Sequence, residues 1–321
     1  MEVLNMYRAQ LWQSWHAVKG RTLELEEIPA NRAELLARVA PAGDPFDGGR
    51  TAAWMASLSA PSWRGLRDAT TGHTVFCVSD RPATDRGLQR DLVLGLHLLA
   101  WMSQGAPIVW YWWDQPWTRT LPAGQDPGRD HVNGGWAVPG VREVHTYRRE
   151  EAHKVLLHES IHALLLDVPQ KAVEPVRRQF ESAFGRRLWP HFGEAYTELF
   201  AEWLWSVAGA RSLLDARRRW AAQVGCAARQ AAQVWTRIRD SRTDEDTNVF
   251  AYYVMKWILL RDTEHLAVTF LSPTHAVGSW WRWWLEGRAA LEMAANHAAA
   301  AGTESQTLAM GMTCVTEEGA H

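Results

Sequence analysis

The sequence is poor in cysteine, has no long apolar run and carries no excess of charge of either sign. Its three cysteines, Cys77, Cys226 and Cys314, are far apart, odd in number and outside any C-x-x-C pair. That spacing argues against a disulfide framework or a thiolate metal site and fits a reducing, intracellular (cytoplasmic) setting. No stretch reaches the roughly 18 apolar residues that cross a bilayer. The N-terminal MEVLNMYRAQLWQSWHAVKG lacks a basic region followed by an uninterrupted apolar core, so neither an anchor nor a signal peptide is expected. Lys and Arg number 34 against 36 Asp and Glu, a net charge of −2. Nothing in that balance forecasts general binding to nucleic acid or to a membrane, and a partner has to be recognised locally.

What is abundant is tryptophan, with 20 residues in 321, clustered at Tyr111–Trp113 and Trp280–Trp284. Such clusters can serve as sugar or membrane platforms, but tryptophan more often buries its ring in a core, and packing is the expected role. The length allows one large domain or two closely packed lobes. The pattern divides into an N-terminal helical region (1–70), a β-sheet lobe ending in a helix (71–166), a helical lobe (167–300) and a flexible tail (301–321). Helices are expected at 5–18, from Asn31 as a capped start, at 51–58 and at 84–103, with β-like runs at His73–Ser79 and Pro107–Trp113. Residues 114–130 read as a turn-rich surface loop. HVNGGWAV and VREVHTY read as two edge strands or a hairpin joined by Pro139-Gly140. From residue 149 the chain reads as helices near 149–166, 170–185, 191–208, 211–239, 246–261 and 276–299. The fold class is α+β, mostly helical, with a small mixed sheet.

The stretch LLHESIHALLLD (Leu156 to Asp167) contains His-Glu-x-x-His within a strongly helical pattern. Residues four apart share a helix face, so His158 and His162 can each turn a ring nitrogen to one ion. Glu159 then lies beside the open coordination position, where a carboxylate can take a proton from water. Val155, Leu156, Ile161 and Leu165 supply an apolar backing. The plain alternative is a buried helix with two satisfied core histidines. A site needs a third ligand, and ALLLDV after His162 has neither the glycine nor the histidine of the metzincin continuation.

Downstream, PHFGEAYTELFAEWLW places Glu194, Glu198 and Glu202 on one helix face among Tyr196, Phe200, Trp203 and Leu204. A buried acidic stripe needs a partner, and a zinc ion with its histidines would supply one. GEAYTE resembles the N-E-x-x-x-D pattern of the gluzincins, the thermolysin-like HExxH zinc metallopeptidases. The resemblance implies Zn2+ held by His158, His162 and Glu194, with Glu198 accepting a hydrogen bond from the ring of His158. Gly193 replaces the family's asparagine, and Asp167 is a substitute partner for His162. VNGGW (Val132–Trp136) occupies the place of the family's substrate-pairing edge strand. That implies contacts to an extended peptide from Asn133, Gly134, Gly135 and Trp136, the first two through its backbone; a hairpin turn is the plain reading of NGG.

A looser similarity, over about residues 107–261, is to little-characterised HExxH proteins of large DNA viruses and algae. The resemblance implies a zincin-like core with Val132–Val138 as edge strand, a C-terminal helical lobe and an intracellular, virus-encoded setting. The gluzincin resemblance implies zinc-dependent metalloendopeptidase action on a peptide or protein substrate, with Glu159 as general base; Tyr253 is the favoured donor to the oxyanion. Tyr252 and His275 are the other candidates for that donor. Two alternatives stand beside this reading: a catalytically silent binding or scaffold protein with structural zinc, and an SprT-like protease with His191 as third ligand.

Overall fold

The computed structural model of the chain describes residues 2–39, 47–103, 105–301 and 308–311. In chain order it comprises α1 (Glu2–Lys19), β1 (Leu25–Glu27), α2 (Arg32–Ala37), α3 (Arg50–Ser57), β2 (Ser62–Asp68), β3 (Thr74–Ser79), α4 (Arg86–Ser103), β4 (Val109–Asp114), β5 (Thr120–Leu121), α5 (Arg129–Val132), β6 (Gly135–Ala137), β7 (Glu143–Thr146), α6 (Ala152–Ala163), α7 (Gln170–Phe184), α8 (Glu194–Ala208) and α9 (Leu213–Ile238). A π-helical segment (Phe250–Met255), α10 (Lys256–Leu260), α11 (Thr263–Leu271), α12 (Pro273–Ala300) and β8 (Leu308–Ala309) follow. The protein is therefore α+β and mostly helical, with a small mixed sheet. No described helix is long and apolar enough to cross a membrane.

Contacts divide the chain into two compact units, one of residues 10–118 and 133–166, the other of 1–9, 119–132 and 167–321. The first holds a six-stranded sheet in the order β1-β2-β3-β4-β7-β6, parallel from β3 through β4 to β7 and antiparallel on both flanks. Strand alternation sends Val78, Tyr111 and Trp113 to one face, where they pack with Leu35 of α2 and Trp54 and Met55 of α3. Trp110 and Trp112 take the other face, and both rings lie within 6.2 Å of His153 of α6. Close packing there needs Gly95 of α4, because a Cβ at that position would meet the Trp110 ring at 2.2 Å. His153 Nε2 lies 2.8 Å from the Asp91 carbonyl and ties α6 to α4. Under Ser79 and Arg81, the fully buried Asp114 accepts from Ser79 Oγ at 2.5 Å, Arg81 Nε at 2.8 Å and Arg149 Nε at 2.9 Å.

Asn31 caps α2 as its sequence predicts, accepting from Ala33 N and Glu34 N. β1 and β2 are departures, since both fall in the stretch read as helical. Arg64, Gly65 and Arg67 break the apolar alternation of SWRGLRD. Gly65 is needed because a Cβ there would sit 2.6 Å from the Ile28 carbonyl oxygen. The edge strand expected over Val132–Val138 is shorter, because Arg129–Val132 forms a helical turn.

In the second unit, α9 starts at Ser212, whose Oγ accepts from Asp215 N at 3.1 Å. Phe180, Phe184, Phe192, Trp235, Phe250 and Trp284 form one aromatic cluster. Tyr111, Trp112, Trp113, Trp280, Trp283 and Trp284 are all buried, as the packing role requires. Residues 114–130 are not wholly a surface loop: Arg119 and Leu121 are buried, and β5 pairs with β8. The tail expected at 301–321 falls outside the described residues at 302–307 and 312–321, and between them Leu308–Ala309 is a paired strand. Cys77 is a buried free thiol, whereas Cys226 is disulfide-bonded. Counting against disulfides is thus corrected at Cys226, since spacing along the chain says nothing of distance in space.

Candidate metal centre

α6 meets the sheet through His153, against Trp110 and Trp112, and through Val155 and Glu159, against Gly135; Leu156, Leu157 and Ile161 are fully buried. Of its twelve residues only His162 is not buried, so the histidine face opens at the C-terminal turn. The helix ends there through Leu165, which takes a left-handed φ of 57° and donates its N–H to His162 O at 3.0 Å. His158 and His162 point at one another. Their Nε2 atoms are 3.3 Å apart and their rings meet edge to face at 69°. Two nitrogens each about 2.0–2.1 Å from one tetrahedral ion stand about 3.3–3.4 Å apart. The pair therefore has the separation that a shared zinc ion demands.

Glu159 is buried beside His158. The edge strand β6 lies directly on it, because a Cβ on Gly135 would be 2.5 Å from His145 O, 2.7 Å from Val155 Cγ1 and 3.1 Å from Glu159 Cγ. Trp136 turns to the opposite face and stacks on His145 at 3.8 Å, with Tyr111 at 4.9 Å on the other side of that imidazole. Both His145 nitrogens lack a hydrogen-bond partner among the described residues, and burial, with Arg38 adding to it, pushes its pKa down to about 3. Asn133 and Gly134 are buried, and their carbonyls accept from Arg148 Nε at 2.9 Å and Tyr147 N at 3.0 Å. These two carbonyls are thus already engaged within the fold. Among the described residues β6 pairs with β7 alone and is the last strand of the sheet order.

α8 carries the acidic stripe. Glu194 stands in its first turn, where the helix dipole favours a carboxylate, and its N–H donates to His191 O at 3.0 Å. A Cβ on Gly193 would lie 3.2 Å from Val168 O, which crowds any side chain where the gluzincin pattern has asparagine. The Tyr252 hydroxyl donates to Glu194 Oε2 at 3.2 Å. Tyr253, the sequence candidate for an oxyanion donor, instead donates to the Met310 carbonyl at 2.7 Å and is fully buried. Tyr252 and Lys256, four residues apart, are side chains of this stretch that bond to α8 at Glu194 and Glu202. His275 and His191 are exposed. Asp167 sits near Tyr196, whose hydroxyl is raised to about 12 by burial and then by that carboxylate.

The remaining acids of the stripe have a partner that sequence reasoning missed. Lys256 of α10, fully buried, places Nζ 2.5 Å from Glu202 Oε1 and 3.7 Å from Glu198 Oε1. The stripe, expected to be answered by zinc and its histidines, thus has a lysine partner as well. A single lysine inside AYYVMKWILL was the available signal, because a lysine in an apolar run is buried only when paired.

One ligand atom from each of His158, His162 and Glu194 lies within 4.8 Å of the others, the one such group of three among the described residues. Their chemistry, two imidazoles and a carboxylate, is that of catalytic zinc sites with an open fourth position. Comparison with known proteins returns no match to a family model, a curated protein or a solved structure.

Proposed function

We propose that the chain is a zinc-dependent peptidase of gluzincin type, with His158, His162 and Glu194 as metal ligands. The observation that carries this reading is the 3.3 Å separation of the two Nε2 atoms, joined by a Glu194 carboxylate oxygen within ligand range of both. Zinc in such a site supplies Lewis acidity, polarising a carbonyl and bringing the pKa of water to about 7.

The chain's own groups do the rest. Glu159, next to His158 and held by the close approach of Gly135, takes the proton from the attacking water and returns it to the departing amine. Tyr252, whose single hydroxyl proton goes to Glu194 Oε2, orients the carboxylate that would bind the metal. The outer edge of β6 offers backbone groups for an extended peptide to add as a strand, as peptides do at exposed sheet edges. Glu194 is favoured over His191 as third ligand because His191 is exposed and turns its backbone carbonyl to Glu194 N.

The test is peptide hydrolysis and zinc content measured together. Glu159→Gln should keep one zinc per chain and lose hydrolysis by about 100-fold or more, the scale of a lost general base. His158→Ala should lose the metal. Hydrolysis retained in Glu159→Gln would sink the catalytic reading, and a zinc-bearing chain without hydrolysis in any variant would leave a scaffold with structural zinc.

A further inference from the structure

Between α9 and the π-helical segment, one acid touches both of the chain segments that carry site residues of the helical unit. Glu245 Oε2 accepts from Trp189 N at 3.0 Å, and its Oε1 accepts from Phe250 N at 2.8 Å. Its own N–H donates to Arg187 O at 3.1 Å. Trp189 lies five residues before Glu194, and Phe250 two residues before Tyr252. The same two segments also meet through Phe192 and Phe250, buried rings stacked at 5.9 Å. Beyond both contacts stands the Tyr252–Glu194 hydrogen bond.

A first-turn glutamate is poorly placed by its helix alone, because helix ends fray and leave backbone donors without intrahelical partners. A carboxylate that accepts from one such donor, Phe250 N, and from the loop donor Trp189 N makes two bonds that are charge-assisted when it is ionised, shorter and stronger than neutral ones. We propose that Glu245 is a positioning residue of the metal centre: its carboxylate joins the approach to α8 to the start of the π-helical segment and so sets Glu194 against Tyr252. The inference rests on Glu194 being a zinc ligand. The acid is kept despite its cost, since burial raises its carboxyl to about 7 against the two backbone bonds that favour the ionised form. The same loop is also anchored by a cation, where Arg242 Nη1 donates to the Phe184 carbonyl at 3.0 Å.

The experiment is zinc affinity of the full chain, measured by competition with a chromophoric chelator. Removing a group that orients a metal ligand costs about 10- to 100-fold in affinity. Glu245→Gln, which keeps one acceptor, should fall near the lower end and Glu245→Ala near the upper. Arg242→Ala, which removes a neighbouring anchor, should bind zinc as the wild type does. Tyr252→Phe combined with Glu245→Gln should weaken binding by less than the product of the two single effects, because both act through one ligand. An affinity of Glu245→Gln within about two-fold of wild type, or fully multiplicative effects, overturns the proposal. Should the Glu245 variants not fold, hydrogen exchange on the wild type decides: the Trp189 and Phe250 amides gain protection on adding zinc, and unchanged protection counts against the role. A wild type that takes up no zinc overturns the metal reading and this one with it, whereas one zinc per chain with Glu245→Gln unaffected removes Glu245 alone.

Discussion

The helices α6 and α8 read alike in sequence, each with polar residues four apart inside an apolar run, yet the fold treats them differently. In α8, Lys256 stands 2.5 Å from Glu202 and 3.7 Å from Glu198, while Glu194 accepts from the neutral hydroxyl of Tyr252. In α6 the two histidines converge on one another at 3.3 Å. Burial of a charge calls for a partner of opposite sign, and in the middle of α8 a lysine meets that need. A buried acidic stripe is therefore weaker testimony for a metal than it looks. What singles out Glu194 is its place at the helix end, partly exposed and bonded to a group that leaves its charge intact.

The sharpest way to break this comparison is to remove Lys256. Lys256→Met leaves Glu202 and Glu198 buried without their cation and should cost about 3–5 kcal/mol of unfolding free energy in a denaturant titration. Adding Glu202→Leu should recover part of that loss, since a buried pair exchanged for apolar side chains is often nearly neutral. A cost below about 1 kcal/mol for the single variant would show that Lys256 is not what answers the stripe.

The sheet solves the same problem in a third way, by keeping a buried ionisable group neutral. His145, clamped between Tyr111 and Trp136, has its pKa lowered from 6.5 to about 3 by burial and by Arg38. The unfolded chain binds this proton more readily than the folded one. Its stabilising contribution is thus full above about 6.5 and is lost as pH falls towards about 3, up to roughly 3–5 kcal/mol at the acid end. His145→Phe should flatten that part of the stability profile, and a profile unchanged between pH 6.5 and 3 would count against a neutral His145.

How much of this was legible follows from what is local. His158 and His162 are one helical turn apart, so sequence spacing alone brings their nitrogens together, and the Asn31 cap is set by residues within three positions. The tryptophan clusters were legible as core for the same reason, because burial follows residue type. Lys256 was legible as an oddity but not as the partner of Glu202, since 54 residues separate them. β1 and β2 were missed where arginines and Gly65 disrupt alternation, and Tyr252 and Tyr253 could not be told apart because their partners, Glu194 and Met310, lie 58 and 57 residues away.

A smaller effect tests the backing of α6. Gly135→Ala forces a Cβ to within 2.7 Å of Val155 Cγ1 and 2.5 Å of His145 O, one of them backbone that cannot yield cheaply. Overpacking of this kind costs about 1–3 kcal/mol. Since the third contact is Glu159 Cγ, at 3.1 Å, the variant should also impair hydrolysis more than zinc retention. Equal stability of Gly135→Ala and the wild type would mean that β6 can lift from α6 freely.

The smallest expected effect on stability is at Tyr252, and it separates the two tyrosines that sequence could not tell apart. Tyr253→Phe leaves the Met310 carbonyl without the buried hydroxyl that donates to it, at about 1–3 kcal/mol. Tyr252→Phe deletes a bond at a partly exposed carboxylate and should cost about 0.5–1.5 kcal/mol. Zinc affinity should order them the other way, because Tyr252 bonds Glu194, which is grouped with the histidines. If Tyr253→Phe weakened zinc binding and Tyr252→Phe did not, the hydroxyl that matters would be that of Tyr253, and the Tyr252–Glu194 bond would have no part in the site.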